Sequence, residues 1–129
     1  MIYGIGLDIQ EIAQIGELYV RRKDAFLRKV FTPDELAYCQ RHADPGQHLA
    51  ARWAVKEAFF KAMGVGIGGG YALTDVETVN LPSGKPHVVL HGKPLADCAR
   101  LGLRVFVSLS HSGEYAAAQI VLEVDREDT

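Results

Sequence analysis

The chain has 129 residues, of which 48% are hydrophobic and 23% charged, and its formal net charge is −2. This length provides a core for one domain over residues 1–129 and is too short for two. The nearly balanced charge argues against a nucleic-acid partner, and no apolar stretch approaches the ~20 residues that cross a bilayer. The first residues lack the pattern of a signal peptide, so we expect free thiols at Cys39 and Cys98, no membrane attachment and a cytoplasmic location.

The first predicted element is a strand over residues 2–9, in which large apolar residues alternate with glycines and an aspartate. One face would carry Tyr3, Ile5, Leu7 and Ile9, and the other Gly4, Gly6 and Asp8. Short helices are predicted over residues 12–20 and 25–30, on either side of the basic run at 21–23. The sequence Thr32-Pro33-Asp34-Glu35 then predicts a capped helix that runs to about Arg41.

The longest predicted helix opens at Asp44-Pro45 and ends near Met63, where Gly64 stops it before a glycine-rich loop. Two hairpins and a short helix follow, in the order strand 73–81, strand 86–91, helix 95–101, strand 104–110 and strand 115–124. We expect the tail from residue 125 to be frayed. These elements predict an α+β fold, in which an antiparallel sheet packs with one long helix and several short helices.

The longest helix carries a carboxylate and an ammonium four residues apart, Glu57 and Lys61. On a helical wheel of about 100° per residue they occupy a narrow strip between two apolar sectors. An exposed helix face would be broad and wholly polar. The simplest interpretation is a surface pair that contributes ~0.3–0.5 kcal/mol to stability. The alternative is a functional site, because a buried carboxylate is costly unless it binds something.

Asp8, on the glycine face of the first strand, also allows two interpretations. It caps the helix that follows, or it joins Glu57 in a cation site. Magnesium prefers a few carboxylates and takes its remaining ligands from water and phosphates, so the two acids suit it. Gly4 and Gly6 would leave space for another element or a ligand to approach closely. No cysteine or histidine spacing of a zinc site occurs in the sequence.

Three further features have both a structural and a functional interpretation. The loop at residues 64–70 follows a helix, where the dipole is negative, so it is better explained as a connector than as a phosphate loop. His111 lies between Ser110 and Ser112 at a predicted hairpin tip. It is a turn residue, a hydrogen-bond donor to a phosphate, or a group that transfers protons. The basic run at 21–23 is a solvated face or a surface for an acidic partner.

Distinctive sequence blocks follow one another along nearly the whole chain. They are GIGLDI at residues 4–9, FTPDEL at 31–36, LAARWAVKEAFFKA at 49–62, GKP at 84–86, VSLSHS at 107–112 and YAAA at 115–118. In this order and spacing the blocks resemble the small holo-acyl-carrier-protein synthases, a class of 4′-phosphopantetheinyl transferases. The block W-A-x-K-E-A-x-x-K is highly specific, whereas GKP alone would be weak.

The resemblance implies transfer of 4′-phosphopantetheine from coenzyme A to a serine of apo acyl carrier protein, with release of 3′,5′-ADP, for fatty acid or polyketide synthesis. It implies catalytic roles for Asp8, Glu57 and Lys61, with Mg²⁺ held by Asp8 and Glu57 and with Glu57 as the candidate base. The residues implied to contact coenzyme A are Arg52, Lys61, Gly64, Lys85, Pro86, Ser110, His111 and Ser112.

The resemblance also implies a homotrimer with active sites between subunits, and an acidic helix of the carrier protein on the basic first helix. Gln14 stands where related enzymes often carry arginine, so we expect docking to use Arg21, Arg22 or Lys23. Two rival functions stay open at this point. One is a nucleotide-binding module without catalysis, and the other is a metal-dependent phosphohydrolase that uses the same carboxylates.

Overall fold

A computed structural model describes residues 1–66 and 69–125, and for residues 22 and 23 it describes the main chain alone. These residues form five strands and four α-helices. In chain order the elements are β1 Ile2–Glu11, α1 Ile12–Val30, α2 Pro33–Gln40, α3 Pro45–Met63, a 3-10 turn Leu73–Asp75, β2 Val76–Asn80, β3 Pro86–Leu90, α4 Gly92–Leu101, β4 Leu103–Ser112 and β5 Tyr115–Val124. The predicted α+β class is confirmed.

The strands form two antiparallel sheets, one of three strands in the order β1-β5-β4 and one of β2 with β3. β1 pairs with β5 through registers such as Asp8 with Ala118, and β5 pairs with β4 through registers such as Ala118 with Leu109. Helix α3 packs against one face of the larger sheet, mainly on β1 and β5. The sheet therefore has an inner face towards α3 and an outer face away from it.

The glycines of β1 allow the strand to lie directly on α3. A Cβ atom on Gly6 would lie 1.8 Å from the carbonyl oxygen of Ala58, and one on Gly4 would lie 2.0 Å from that of Ala62. No side chain larger than hydrogen fits at either position, since real contacts of this kind are far longer. The sequence alternation thus puts Asp8, which shares the phase of Gly4 and Gly6, on the inner face.

The apolar face of β1 is the outer one, and it is exposed in the single chain. Tyr3 is 45% exposed, and Ile5, Leu7 and Ile9 are between 56% and 59% exposed. In the same phase, Phe106 on β4 and Tyr115 on β5 are also exposed. The alternation of residues predicted two distinct faces, but not that the apolar one would lie away from the core.

Two clusters of buried apolar residues form the core, and α3 contributes to both. The first lies between α3, the larger sheet, β2 and α4, and includes Phe59, Val76 and Ile120. The second lies between α1, α2 and α3, and includes Leu49 and Phe31. Because one helix links both clusters, this packing is compatible with the single domain over residues 1–129, which stays a prediction.

Several predicted boundaries differ from the structure. The two short helices predicted around residues 21–23 are one continuous helix, α1, because no glycine or proline interrupts residues 17–30. An ion pair between Arg21 and Glu17, with 3.5 Å between nitrogen and oxygen, spans one of its turns. The helix predicted from residue 95 begins already at Gly92. The predicted loop residues 67 and 68 and tail residues 126–129 lie outside the described part of the chain.

Other local predictions are confirmed. Thr32 and Glu35 form a reciprocal capping box at the start of α2, whereas Asp44 begins α3 without a side-chain hydrogen bond. Gly64 and Gly102 end their helices in the left-handed conformation. Cys39 and Cys98 are free, and both are buried. Among the described residues, no helix has the length and apolar character needed to cross a membrane.

Candidate active site

The inner face of β1 meets α3 at an ion pair between Asp8 and Lys61. The Lys61 ammonium donates to Asp8 Oδ1 at 3.0 Å and to the Leu7 carbonyl at 2.9 Å. Gln10 Nε2 donates to the other oxygen, Asp8 Oδ2, at 2.7 Å. Asp8 does not cap α1, whose N-cap is Glu11 and has no side-chain hydrogen bond. The helix-cap interpretation of Asp8 is therefore wrong.

Glu57 lies within electrostatic reach of this pair. Burial and the negative charge of Asp8 raise the pKa of the Glu57 carboxyl, while a hydrogen bond with Trp53 and the charge of Lys61 act in the opposite direction. Lys61 forms its ion pair with Asp8, which is distant in the sequence, and not with Glu57 on the same helix. The interpretation of Glu57 and Lys61 as a simple surface pair is therefore wrong. The three residues that the sequence implied to be catalytic are brought together.

This arrangement has more negative than positive charge, since two carboxylates share one ammonium. Burial contributes most to the raised pKa of Glu57, and the like charge of Asp8 adds to it. Within the described residues, no group of three or more histidine, cysteine or acidic side chains could hold a metal ion. Any cation here would thus have two protein carboxylates and take its other ligands from elsewhere.

Arg52 points away from the two carboxylates of Asp8 and Glu57, which we call the acidic pair, and towards α2 and β2. It is 2% exposed, its guanidinium donates to Asn80 Oδ1, and its Cζ lies 4.2 Å from the ring centroid of Tyr38. Arg52 Nε has no hydrogen-bond partner among the described residues. These groups border a cavity of about 330 Å³, whose lining residues are Asp34, Ala37, Tyr38, Arg41, Arg52, Thr78, Val79 and Asn80.

Asn80 links Arg52 to the hairpin that carries Lys85 and Pro86. It pairs with Pro86 in the β2–β3 ladder, and its amide donates to the Gly84 carbonyl at 3.0 Å. Sequence reasoning missed Asn80, although its place directly before a hairpin turn, next to the GKP block, was a usable signal. Lys85 is exposed at this turn. Arg52, Lys85 and Pro86 therefore belong to one region of the surface.

The residues around His111 lie at the end of β4 and are not in the turn, which consists of Gly113 and Glu114. The alternation along β4 directs His111 towards α3, where its Nε2 lies 2.7 Å from Gln47 Nε2. Ser110 and Ser112 have the opposite phase and lie on the outer face. The prediction that His111 sits in a turn is thus wrong, because the ladder continues through it.

A cavity of about 330 Å³ opens on the outer face at this point, lined by Ile9, Ser110, His111, Ser112, Tyr115 and Ala117. Asp8 is on the inner face, so a single chain does not bring Ser110 and Ser112 onto the side of the sheet that carries the acidic pair. Gly64 lies at the end of α3, one turn beyond Lys61, with open space around its Cα.

A buried ion pair that the sequence did not predict fixes α3 next to Glu57. Lys56 is fully buried, and its ammonium donates to Glu35 Oε1 at 2.8 Å and to the carbonyls of Leu73 and Val76. The other oxygen, Glu35 Oε2, accepts from the Thr78 main-chain N–H at 2.9 Å. Because all three ammonium hydrogens have acceptors, this network can tie α2, α3 and β2 into one frame.

Comparison with known proteins agrees with the sequence blocks. The family model of the 4′-phosphopantetheinyl transferase superfamily matches residues 4–120. A holo-[acyl-carrier-protein] synthase of Geobacter sulfurreducens is 47% identical over 124 residues, which cover 95% of this chain and 98% of that protein. A holo-[acyl-carrier-protein] synthase of Syntrophus aciditrophicus is 43% identical over 124 residues, which cover 95% of this chain and 97% of that protein.

Solved structures have the same fold. The holo-[acyl-carrier-protein] synthase of Neisseria meningitidis superposes with a TM-score of 0.86 at 34% identity, covering 95% of this chain and 99% of that one. The Bacillus anthracis synthase in complex with CoA (3′,5′-ADP) superposes with a TM-score of 0.80 at 33% identity, covering 97% and 99%. Both likenesses extend over nearly the full length of each chain.

Proposed function

Because this chain belongs to the holo-[acyl-carrier-protein] synthases of the 4′-phosphopantetheinyl transferase superfamily, we propose that it transfers 4′-phosphopantetheine from coenzyme A to a serine of apo acyl carrier protein. The products are holo carrier protein and 3′,5′-ADP, and the reaction serves fatty acid or polyketide synthesis. The observation that carries this proposal is the meeting of Asp8, Glu57 and Lys61 where β1 lies on α3.

We infer that Asp8 and Glu57 hold Mg²⁺. The donor set suits this ion, because two carboxylates compensated by one ammonium leave a surplus negative charge. Burial, and after it the charge of Asp8, raise the pKa of Glu57, and a bound cation would offset both. Magnesium rarely needs a full protein cage and commonly completes its shell with water and substrate phosphates. When bound, the ion would neutralise part of the charge on the pyrophosphate of coenzyme A.

The residues of the chain supply the rest of the chemistry. The serine oxygen of the carrier protein forms a bond to the phosphorus next to pantetheine, and the bond from that phosphorus to the bridging oxygen breaks. Glu57 takes the serine proton, for which a carboxylate with a raised pKa is a better base than an ordinary one. Lys61, with 53% of its side chain exposed, balances the charge that develops on the departing 3′,5′-ADP.

Coenzyme A would extend from this acidic pair along the surface of the chain. Arg52, Lys85 and Pro86, already joined through Asn80, would contact its nucleotide part. His111, Ser110, Ser112 and Gly64 complete the proposed set of contacts. The buried Arg52 supports this assignment, because its unpaired Nε is a hydrogen-bond donor that no described residue satisfies.

We further propose a homotrimer with active sites between subunits. The outer face presents a row of exposed apolar side chains, which a monomer seldom leaves uncovered. Head-to-tail packing of three copies would bury such a face in a closed ring. Ser110 and Ser112 lie on this face, so assembly would bring them next to a neighbouring subunit, as a shared site requires.

The carrier protein is proposed to dock on α1 through an acidic helix. Arg21, Arg28 and Lys29 are exposed on this helix and provide positive charge, which speeds the encounter of oppositely charged proteins. Gln14 is exposed on the same helix and adds none. The side chains of residues 22 and 23, also predicted to contribute, lie outside the described part. A cytoplasmic location is part of the proposal, because buried free thiols at Cys39 and Cys98 suit a reducing compartment.

Transfer can be tested by mass spectrometry of apo carrier protein incubated with the chain, coenzyme A and Mg²⁺. We expect a mass gain of one phosphopantetheine, and a loss of about 10²–10⁴ in rate for Glu57→Gln. Glu123→Gln is the matched control, since this half-buried acid forms an ion pair with Arg104 near the end of β5, away from Asp8. Full transfer by Glu57→Gln would refute the assignment of the base.

The same assay separates the two rival functions. A nucleotide-binding module without catalysis would leave the mass of the carrier protein unchanged. A phosphohydrolase would cleave coenzyme A when the carrier protein is omitted. Our proposal requires that product forms only in the presence of the acceptor serine.

A further inference from the structure

Gln10 follows Asp8 on the inner face of β1, and its side chain turns back along the strand to meet the aspartate. The Gln10 Nε2 amide donates to Asp8 Oδ2 at 2.7 Å. Alternate residues of a strand point to the same face and lie roughly 6.6 Å apart, a distance that the long glutamine side chain spans. The sequence block of residues 4–9 ends before Gln10, so the sequence motif assigned this residue no role.

The neighbouring strand leaves room for this contact. Gln10 pairs with Ala116 of β5, and Asp8 pairs with Ala118. Both alanines are buried, so only two methyl groups fill the row beside the glutamine and the aspartate. Asp8 has 12% of its side chain exposed, and Gln10 is half-buried. The hydrogen bond is therefore part of the packed junction between β1 and α3.

Two hydrogen bonds hold the two oxygens of Asp8. Lys61 donates to Oδ1 at 3.0 Å, and Gln10 donates to Oδ2 at 2.7 Å. A carboxylate has about four acceptor positions, two on each oxygen, so one position on each oxygen stays open to a cation. Because the two donors approach different oxygens, together they fix the plane of the carboxylate and the direction of its open positions.

The two donors differ in charge and in their other contacts. The Lys61 ammonium cancels one negative charge, is 53% exposed and also donates to the Leu7 carbonyl, and in the proposed function it serves the departing 3′,5′-ADP. The Gln10 amide is neutral, so it orients Asp8 without reducing the surplus negative charge that attracts a cation. Glu57, the second carboxylate, has a neutral donor of its own in Trp53.

We propose that Gln10 is a positioning residue for the cation site, where it holds the Asp8 carboxylate in the orientation that binds Mg²⁺ together with Glu57. This inference rests on the proposed function, which places Mg²⁺ at Asp8 and Glu57. Hydrogen-bond partners of metal ligands tune metal affinity, and their removal typically costs about 10–100-fold. Removal of the Gln10 amide should therefore weaken cation binding and leave the transfer chemistry unchanged once the cation is bound.

The experiment is titration of the full chain with Mn²⁺, followed by the electron paramagnetic resonance signal of the free ion, with Mg²⁺ as a competitor. Gln10→Met has a similar size and no donor, and Gln10→Val has a shape that suits a strand. We expect both variants to bind Mn²⁺ about tenfold more weakly than the unmodified chain. Urea unfolding shows which variants are folded, and either one of the two is sufficient for the test.

Gln40→Met is the matched control. Gln40 is an exposed glutamine at the end of α2, so its replacement should leave Mn²⁺ binding as it is in the unmodified chain. Equal Mn²⁺ affinity in the Gln10 variants and in this control would overturn the inference.

A double-mutant cycle tests whether Gln10 acts through Asp8. Asp8→Asn leaves Glu57 as the remaining carboxylate, so its weaker binding is measured at higher Mn²⁺ concentrations. In this background Gln10→Met should cause no further loss of affinity, because the carboxylate that Gln10 orients has been removed. An equal loss with and without the Asp8 carboxylate would show that Gln10 binds the cation itself, and would overturn its positioning role.

The transfer rate measured against Mg²⁺ concentration gives a second readout. For Gln10→Met, the Mg²⁺ concentration that gives half the maximal rate should rise about tenfold. The rate at saturating Mg²⁺ should stay close to that of the unmodified chain. A lower saturating rate with unchanged Mn²⁺ affinity would mean that Gln10 contacts a substrate, and would also overturn the inference.

Failure of this inference is distinguishable from failure of the proposed function. If the unmodified chain binds Mn²⁺ and the Gln10 variants bind it equally well, the role of Gln10 is refuted and the cation site at Asp8 and Glu57 stands. If the unmodified chain transfers phosphopantetheine without a divalent cation, the proposed cation site itself is refuted.

Discussion

The closest main-chain approach in the site predicts that Gly6→Ala separates β1 from α3. The added Cβ would lie 1.8 Å from the carbonyl oxygen of Ala58 and 2.9 Å from the main-chain nitrogen of Ala62. Both are main-chain atoms, so no side-chain rotation relieves the clash. Ordinary contacts begin at 3.4 Å, which means that strand and helix must move apart by roughly 1.6 Å.

This displacement acts on the site as well as on stability. Asp8 lies two residues from Gly6 on the same face, and its 3.0 Å bond to Lys61 spans the same strand–helix contact. Overpacking of this kind costs about 1–3 kcal/mol in free energy of unfolding. A misplacement of catalytic groups by about 1 Å can reduce turnover about 10²-fold. We therefore expect Gly6→Ala to lose about two orders of magnitude in transfer rate while most of the protein stays folded.

The assay combines urea unfolding with the transfer rate measured by carrier-protein mass shift, at a temperature where both variants are folded. Gly16→Ala on α1 is the control, because its Cβ would meet only the Gly46 Cα at 4.0 Å. Alanine at this helical position should stabilise the chain by about 0.5–1 kcal/mol and leave the rate near that of the unmodified protein. A Gly6→Ala variant that unfolds and transfers like the control would refute the reasoning.

Three other predictions concern the frame, the outer face and the pH response. Lys56→Met leaves the Glu35 carboxylate buried without its ion-pair partner and should lower the free energy of unfolding in urea by about 3–5 kcal/mol; a loss below about 1 kcal/mol would contradict the role of the pair. Leu7→Asp, at a position 56% exposed on the outer face, should convert trimers to monomers in sedimentation experiments, and an unchanged trimer would exclude this face as the interface. Burial would raise the pKa of Glu77, but hydrogen bonds from His91 and Thr32 outweigh it and lower the pKa below 4.5. Its stabilisation is therefore present above pH 4.5 and lost as pH falls, so thermal melts between about pH 5 and 3 should decline less steeply for Glu77→Gln than for the unmodified chain.

Local chemistry was sufficient to predict much of the fold. The capping box of Thr32 and Glu35 depends only on residues three apart, and it forms as expected. Gly64 and Gly102 end helices because glycine adopts positive φ at low cost, here 74° and 66°. The two-residue alternation of β1 likewise gave its two faces. In each case the interacting groups are near neighbours in the chain, so the pattern itself contains the answer.

Contacts between distant segments were beyond the reach of such patterns. A helical wheel gives the direction of Lys61 from the axis of α3, but its ion-pair partner is Asp8, on a strand that the wheel does not contain. The burial of Lys56 depends in the same way on Glu35 and on two carbonyls from residues 73 and 76. Neither the carbonyls nor the carboxylate has any periodic relation to α3.

The sequence by itself determined the order of most elements, the capped start of α2, which residues of β1 share a face, and which acidic and basic residues carry the motif of the family. Only the tertiary structure decided that the glycine face of β1 lies on α3 and that its apolar face stays outside. The reason is steric, because strand and helix approach this closely only where both present small residues, Gly6 to Ala58 and Gly4 to Ala62. That approach brings Asp8 to Glu57 and Lys61, and the chemistry of the site follows from it.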